Sequence, residues 1–263
     1  MQKKLFRYFG AKTYMLDDII RLISPLYSNK KIVCFVDVFG GAGNVLLNIP
    51  LEWRINRVYN DIDLRLYNLL NDLKDDKKRD ALFEKLFWTL ASRKLFNDFK
   101  EKENNNSFEF LYRLFYSFNA GLNGYKIEIN TIRNTRSQLN NLKKNWYYIK
   151  DWYIEHLDFK ELIKKYDGKN TFFYLDPPYL TGGKNYKHSF TEADFKELKN
   201  SLDDIQGYYM MNESEVDFDK IIKIFGEPKL IKKYVNYVNT TNIKQTKSKN
   251  RNIYRQEGYW TNY

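Results

Sequence analysis

Four residues carry most of the chemistry in this chain: Asp176-Pro-Pro-Tyr179, directly after the apolar run 171–175. Proline cannot donate to a sheet ladder, so a Pro-Pro pair ends a strand rigidly. It holds the Asp176 carboxylate, the Pro177 carbonyl and the Tyr179 ring in one arrangement at the carboxyl edge of that strand. The exocyclic amine of adenine is a poor nucleophile because its lone pair is delocalised into the ring. A carboxylate and a carbonyl can each accept one amine proton, which draws the nitrogen toward tetrahedral geometry and localises the pair, while an aromatic ring stacks on the base. Positioning and hydrogen bonding carry such a reaction, and no metal is required. Taken alone, the four residues also fit a simple turn.

A second cluster lies upstream. Asp37 ends a buried run, and Phe39-Gly-Gly-Ala-Gly43 follows it, opening a short helix. Glycines there let backbone approach a ligand, and a helix N-terminus offers free N–H groups. Asp61 ends the next short strand, where a carboxylate can accept both hydroxyls of a ribose. Three readings compete. As a dinucleotide fingerprint the loop is poor, because Leu46 stands where a third small residue belongs. A tight turn without a ligand is the second. The third is a site for S-adenosyl-L-methionine, which has a ribose but no pyrophosphate. The strand-borne Asp176 motif downstream favours the third, with the sulfonium methyl as electrophile and Asp37, Phe39, Gly40, Gly41, Gly43 and Asp61 around the cofactor.

These residues need a frame. Helical spacing over 13–27, ended near Pro25, precedes a buried strand at 31–39. A helix at 44–48, a strand at 57–62 and a helix at 63–74 follow, which is the start of a doubly wound parallel sheet. The pattern resumes with strands at 171–175 and 207–211 and helices at 190–202 and 218–225. Thr191 and Asp194 form a capping box. Two strands, 230–238 and 253–263, pair antiparallel at the end of the sheet, with a polar, basic stretch between them at 239–252. The middle differs: 75–155 reads as an insert of helices with a loop or hairpin. Two regions therefore organise the chain, 1–74 with 156–263 as one domain and 75–155 as a second. The fold class is α/β, a Rossmann-like, mostly parallel sheet with an antiparallel terminal strand and a mainly helical insert.

Composition narrows the function classes. The 263 residues are 43% apolar and 17% aromatic, enough for a core and too many for a disordered chain. No apolar run approaches the ~20 residues of a membrane helix. One cysteine and two histidines exclude a disulfide framework and a Cys- or His-rich metal site. A soluble, cytoplasmic, monomeric protein with no membrane partner is expected. The net charge of +11 attracts polyanions, nucleic acid first among them. The 22 Tyr and 19 Phe suit base stacking, although most must serve the core.

Taken in order, these motifs resemble the Dam-like DNA adenine-N6 methyltransferases of the alpha group. Arg7-Tyr-Phe-Gly-Ala-Lys12 is similar to that family's N-terminal motif, with Phe9 and Ala11 as departures. Residues 37–48 resemble its cofactor motif, Asn60-Asp-Ile-Asp63 its ribose-binding stretch and Asp176-Pro-Pro-Tyr179 its catalytic motif. The segment 186–191 and the terminal 257–262 also match, so nearly the whole chain is covered. The resemblance implies that Tyr8, Lys12, Asp61 and Asp176 contact S-adenosyl-L-methionine, with Asp176 also meeting the target amine. It implies adenine flipped out of double-stranded DNA, a bacterial or viral origin, and a target-recognition domain at 75–155. Within that insert the family's Asn-Gly-Leu-x-Arg loop corresponds to 119–126, which lacks the arginine, so a GATC specificity does not transfer. Asn123 and Lys126, with Arg133 and Arg136 further on, are the DNA-contacting candidates there, a hairpin between 121 and 136 being expected. His188 is another candidate, in the segment after the catalytic motif.

Other residues have ordinary readings. Cys34 is a core residue with no base beside it, and His156 packs at a strand end. The Lys and Arg of 223–233 and 244–255 form a solvated or phosphate-facing surface. Two other functions compete with DNA adenine methylation: methylation of RNA adenine or of a glutamine amide, whose nitrogen is similarly planar, and a catalytically silent DNA-binding relative.

Overall fold

The computed structural model describes residues 2–8, 10, 12–102, 104–117, 120–125, 131–180, 190–236 and 253–263. The helices are α1 (Leu16–Ser28), α2 (Asn44–Asn48), α3 (Leu64–Lys74), α4 (Asp76–Trp88), α5 (Arg93–Lys102), α6 (Ser107–Tyr116), α7 (Thr131–Asn145), α8 (Phe159–Tyr166), α9 (Glu192–Asp203) and α10 (Phe218–Phe225). The strands are β1 (Cys34–Asp37), β2 (Asn56–Asn60), β3 (Trp152–Glu155), β4 (Thr171–Leu175), β5 (Tyr208–Ser214), β6 (Leu230–Asn236) and β7 (Ile253–Thr261). They form one sheet in the order β3-β2-β1-β4-β5-β7-β6. β1 to β5 run parallel, and β7 is antiparallel to both neighbours. This is the α/β architecture that the motif order predicts.

Strand alternation sorts the side chains into two layers. Phe35, Tyr59, Phe172, Tyr174 and Met210 face the core that holds α1, α3 and the helices α4 to α7. Val36, Val58, Phe173, Leu175 and Met211 face α8, α9 and α10. The strand order reverses between β1 and β4, where neighbouring crossovers leave to opposite faces. A crevice opens there at the carboxyl ends of the strands.

Three expectations change. Trp152–Glu155, read as part of the insert, is the edge strand β3, paired in parallel with β2. Its four residues include two large aromatics and follow a helix, so their short period was lost among helical signals. The inserted run therefore ends before Trp152, and its described helices share one core with the sheet face rather than having their own. Arg133 and Arg136 lie on α7, not on a hairpin. α1 continues through Pro25 to Ser28, because Leu26 is buried and Asn29 N–H donates to the Pro25 carbonyl. Lys126, His188 and the basic stretch 239–252 lie outside the described residues. Among the described residues no helix is long and apolar enough to cross a membrane.

The edge strand also supports the glycine turn. The Trp152 indole is buried, stacks on Tyr59 with centroids 6.1 Å apart, and packs where a Cβ on Gly43 would come within 2.9 Å. Trp152→Ala should therefore cost about 3–5 kcal/mol of folding stability, the usual range for a buried aromatic. Urea unfolding measures it, and a loss below about 1 kcal/mol would show β3 to be peripheral.

Candidate active site

The crevice at the reversal is a cleft of about 290 Å³. Six segments line it: the one before α1, the turn between β1 and α2 with the start of α2, the end of β2 with the residues after it, the residues following β3, the end of β4 with the residues after it, and the start of α9. Tyr8, Lys12, Asp37, Phe39, Gly40, Gly41, Asp61 and Asp176, all expected at a cofactor site, line it together. Gly43 is not in the lining. At φ +68° it starts α2, and its N–H donates to the Gly40 carbonyl at 2.7 Å, so it shapes the turn.

The turn is fastened to β2 by several bonds. Gly40 N–H donates to the Asn60 carbonyl at 2.8 Å, and the Tyr59 hydroxyl donates to the Gly41 carbonyl at 2.7 Å. Gly41 N–H and Asp63 N–H each donate to one oxygen of Asp61, both at 2.8 Å. Burial raises the Asp61 carboxyl to about 6, against the pull of those two donors. Each carboxylate oxygen keeps a second lone pair for a ligand. The Asn60 side chain donates to Val38 and Leu157 carbonyls and accepts from Leu157 N–H, which ties the ends of β1, β2 and β3 into one rim. His156 sits just past β3, its Nδ1 2.9 Å from the Asp61 carbonyl oxygen.

Asp176 follows β4 as its all-apolar run ends. Lys12 Nζ lies 2.6 Å from Asp176 Oδ1, and Asn212 Nδ2 donates to the same oxygen at 3.2 Å. Lys12 is buried. Burial alone would lower its ammonium, but Asp176, Tyr179 and Glu257 hold it well above its ordinary value. Two cations approach the Tyr179 ring, Lys12 Nζ at 4.7 Å and Arg255 Cζ at 5.2 Å from its centroid. Arg255 Nε is 3.2 Å from Glu257, whose Oε1 also accepts from the Tyr14 hydroxyl at 2.6 Å. Acids crowd this place. Burial and the charges of Asp176 and Asp61 raise Asp37 well above the usual carboxylate range, and burial likewise raises Glu213 and Glu257.

Asn44 and Asn60, inside the two stretches that resemble the cofactor and ribose motifs, also line the cleft, whereas Asp158, Phe159, Phe190 and Asp194 did not emerge from the sequence as site residues. Asp158 caps α8 just past β3. Recognising Trp152–Glu155 as a strand would have placed it at the carboxyl edge. Phe39, Phe159 and Phe190 form an aromatic group with centroids 5.5–6.1 Å apart. Pro177 is buried and not in the lining, whereas Pro178 is. Cys34 is half-buried, and burial pushes its thiol up to about 11, which suits no nucleophile. Of the DNA candidates, Asn123 and Arg136 are exposed, and the Asn123 carbonyl accepts from Lys100.

The residues fit S-adenosyl-L-methionine. Asn44 Oδ1 is buried, has no hydrogen-bond partner among the described residues, and belongs to a residue of the cleft lining. Beside it stand the Asp61 oxygens, the glycine cradle and the aromatic group, which supply acceptors for hydroxyls and a face for a purine.

Comparison with known proteins places the chain in a family. Residues 8–244 match the family model described as D12 class N6 adenine-specific DNA methyltransferase, and the chain belongs to that family. It is also similar to the modification methylase StsI of Streptococcus sanguinis, 28% identical over 207 residues, which is 70% of this chain and 30% of that protein. The chain thus spans less than a third of that relative's length.

The turn makes its own prediction. A Cβ on Gly40 would lie 2.3 Å from the Tyr59 ring and 3.0 Å from the Asn60 carbonyl oxygen. Gly40→Ala should cost about 1–3 kcal/mol of stability through overpacking and displace the ring that holds Gly41. Thermal unfolding beside wild type checks this, and an unchanged midpoint would show that the cradle has slack.

Proposed function

We propose, on the premise of that family membership, that the chain methylates the N6 amine of adenine in double-stranded DNA, using S-adenosyl-L-methionine held in this cleft. The observation that carries the reading is the meeting of Asp176 and Asp61 around one cleft, with Lys12 against the former and the Gly40–Gly41 turn against the latter. The bound cofactor supplies an electrophilic methyl on a sulfonium. Asp61 takes the ribose hydroxyls, and Phe39, Phe159 and Phe190 enclose the adenine ring of the cofactor. Lys12 offers a buried positive charge for a carboxylate.

The target base is turned out of the duplex so that its amine reaches Asp176. Tyr179 stacks on it, its ring already fixed by Lys12 and Arg255. One amine proton is accepted by Asp176 and the other by the Pro177 carbonyl, which localises the nitrogen lone pair. The bound cofactor would supply the methyl group and keep the carbon–sulfur electron pair on sulfur, while the residues of this chain hold the amine nitrogen in place to receive it. The new ammonium then releases one proton toward Asp176 and solvent. In-line placement and preformed acceptors lower the barrier.

The helices α4 to α7 supply the DNA-reading surface. Residues 76–150 hold fifteen Lys and Arg against eight Asp and Glu. Of these helices, α4 and α6 pack against α3, whose N-cap Asp63 lines the cleft. Exposed Asn123 and Arg136, together with Arg133, Lys126 and His188, are the contacts proposed for bases and phosphates.

Transfer of labelled methyl from S-adenosyl-L-methionine to unmethylated duplex, with single-stranded RNA and protein as alternative acceptors, tests the reading. Duplex DNA should be labelled on N6 of adenine. Asp176→Ala should lower turnover on the order of 100-fold or more, and Asp176→Asn should also be poor because it presents a donor. Turnover close to wild type in either variant would sink the mechanism.

Asp61 adds a pH dependence. In the free protein its carboxyl titrates at about 6 because burial penalises the charge. Ribose hydroxyls donate to the charged form and lower that value in the complex, so binding releases a proton below pH 6. Cofactor affinity should be flat above about pH 6.5 and fall up to about tenfold per unit below pH 6. Asp61→Asn should bind weakly with little pH dependence. Calorimetry from pH 5 to 8 measures both, and a flat wild-type profile would remove Asp61 from the ribose site.

A further inference from the structure

Asn212, near the end of β5, has no exposed surface, and both ends of its amide are used. Tyr174, on β4 and likewise buried, donates its hydroxyl to Asn212 Oδ1 at 2.5 Å, and Asn212 Nδ2 donates to Asp176 Oδ1 at 3.2 Å. The chemistry fixes the direction of this chain. A carboxylate only accepts, so the amide must turn its NH2 toward Asp176. Its oxygen then faces Tyr174, and the phenol must donate. The parallel register pairs Leu175 with Met211, which places Asp176 abreast of Asn212. The two side chains therefore meet because of the sheet.

Among the described residues both donors to Asp176, Lys12 and Asn212, end on Oδ1. Oδ2 is thereby the oxygen left for a substrate amine. Rotation of a carboxylate about its last torsion is soft, and Lys12 reaches it from a flexible four-carbon stem. The amide of Asn212 sits on a buried strand and is locked by a buried phenol, so it provides a rigid reference for the carboxylate plane.

We propose that Asn212 and Tyr174 are positioning residues for methyl transfer. The chain from the Tyr174 hydroxyl through the Asn212 amide to Asp176 sets the rotation of the carboxylate, so that Oδ2 meets the amine in line for attack. This rests on the reading of Asp176 as the amine acceptor.

The test compares wild type, Asn212→Leu, Tyr174→Phe and the double variant in labelled methyl transfer to unmethylated duplex of mixed sequence, with calorimetric affinity for S-adenosyl-L-methionine. Asn212→Leu should lower kcat on the order of 100-fold, and Tyr174→Phe about tenfold. KM for DNA and cofactor affinity should stay within about twofold of wild type, since the lost interaction acts in the transition state. The double variant should be no slower than Asn212→Leu, because Tyr174 acts only through the amide. A kcat for Asn212→Leu near wild type, losses that multiply in the double variant, or a loss confined to cofactor affinity would each overturn the proposal. Should Asn212→Leu not fold, Tyr174→Phe decides alone by the same split between kcat and affinity.

A second readout needs no turnover. In protein labelled with 15N-asparagine, the Asn212 side-chain amide pair is identified by its loss in Asn212→Leu or Asn212→Ser. It should move both in Tyr174→Phe and in Asp176→Ala. A pair that stays in place overturns the proposal. A wild-type protein that transfers no methyl, with the pair moving as expected, instead overturns the reading of the reaction and leaves the chain of hydrogen bonds standing.

Discussion

The contact between Lys12 and Asp176 joins residues 164 positions apart, and the rest of the site is arranged around it. Removing charge from water costs several kcal/mol per ion unless it is paired and hydrogen-bonded. The ammonium has little exposure and is surrounded by acids, so its position is fixed by where those acids lie. Asp176 hangs on β4, Glu257 on β7, and Lys12 on the segment that leads into α1. One pair therefore closes the N-terminal segment over the carboxyl edge of the sheet and gives the cleft its wall. Breaking it would leave an uncompensated charge in place, a larger penalty than losing the contact itself.

That wall explains the form of the opposite side. With Lys12 engaged by Asp176, the cluster around Asp37, Glu213 and Glu257 has more carboxyl groups than cations, and burial raises all three. Asp61 meets the same problem differently. It is held by two backbone N–H groups, one from the glycine turn and one from the start of α3, and it titrates at about 6. The turn that shapes the cofactor cradle is thus also the turn that stabilises the carboxylate beneath it. Tyr59 and Trp152 brace that turn from the sheet, which makes cofactor geometry depend on the packing of an edge strand.

The helices between β2 and β3 extend one face of the sheet instead of forming a separate body. Phe96, Phe110, Leu111 and Leu142 are buried in the same core as Phe35 and Phe172. Phe110 reaches Tyr8 across that core, with ring centroids 6.3 Å apart. A displacement of α6 would be felt at the cleft, since close-packed interiors transmit strain. Under the proposed function, reading of DNA and closure of the cofactor site share side chains.

What the sequence determined by itself follows from local rules. Apolar runs bounded by glycine or proline mark β1 and β4. The acids that fall at strand ends, Asp37, Asp61 and Asp176, fall at the carboxyl edge because parallel sheets present that edge to ligands. A run of four residues such as Trp152–Glu155, of which only Trp152 is buried, has too few positions to show its period among helices, so β3 and with it Asp158 were hidden. The lock of Tyr174 on Asn212 was hidden for another reason. Tyr174 reads as one more aromatic in an apolar strand and Asn212 as the polar residue after another. Only the order of strands, β4 beside β5, and a register pairing Leu175 with Met211 bring the phenol, the amide and Asp176 into one line. Register between strands separated by a crossover is decided by the packing of both sheet faces at once, and that is a property of the tertiary structure.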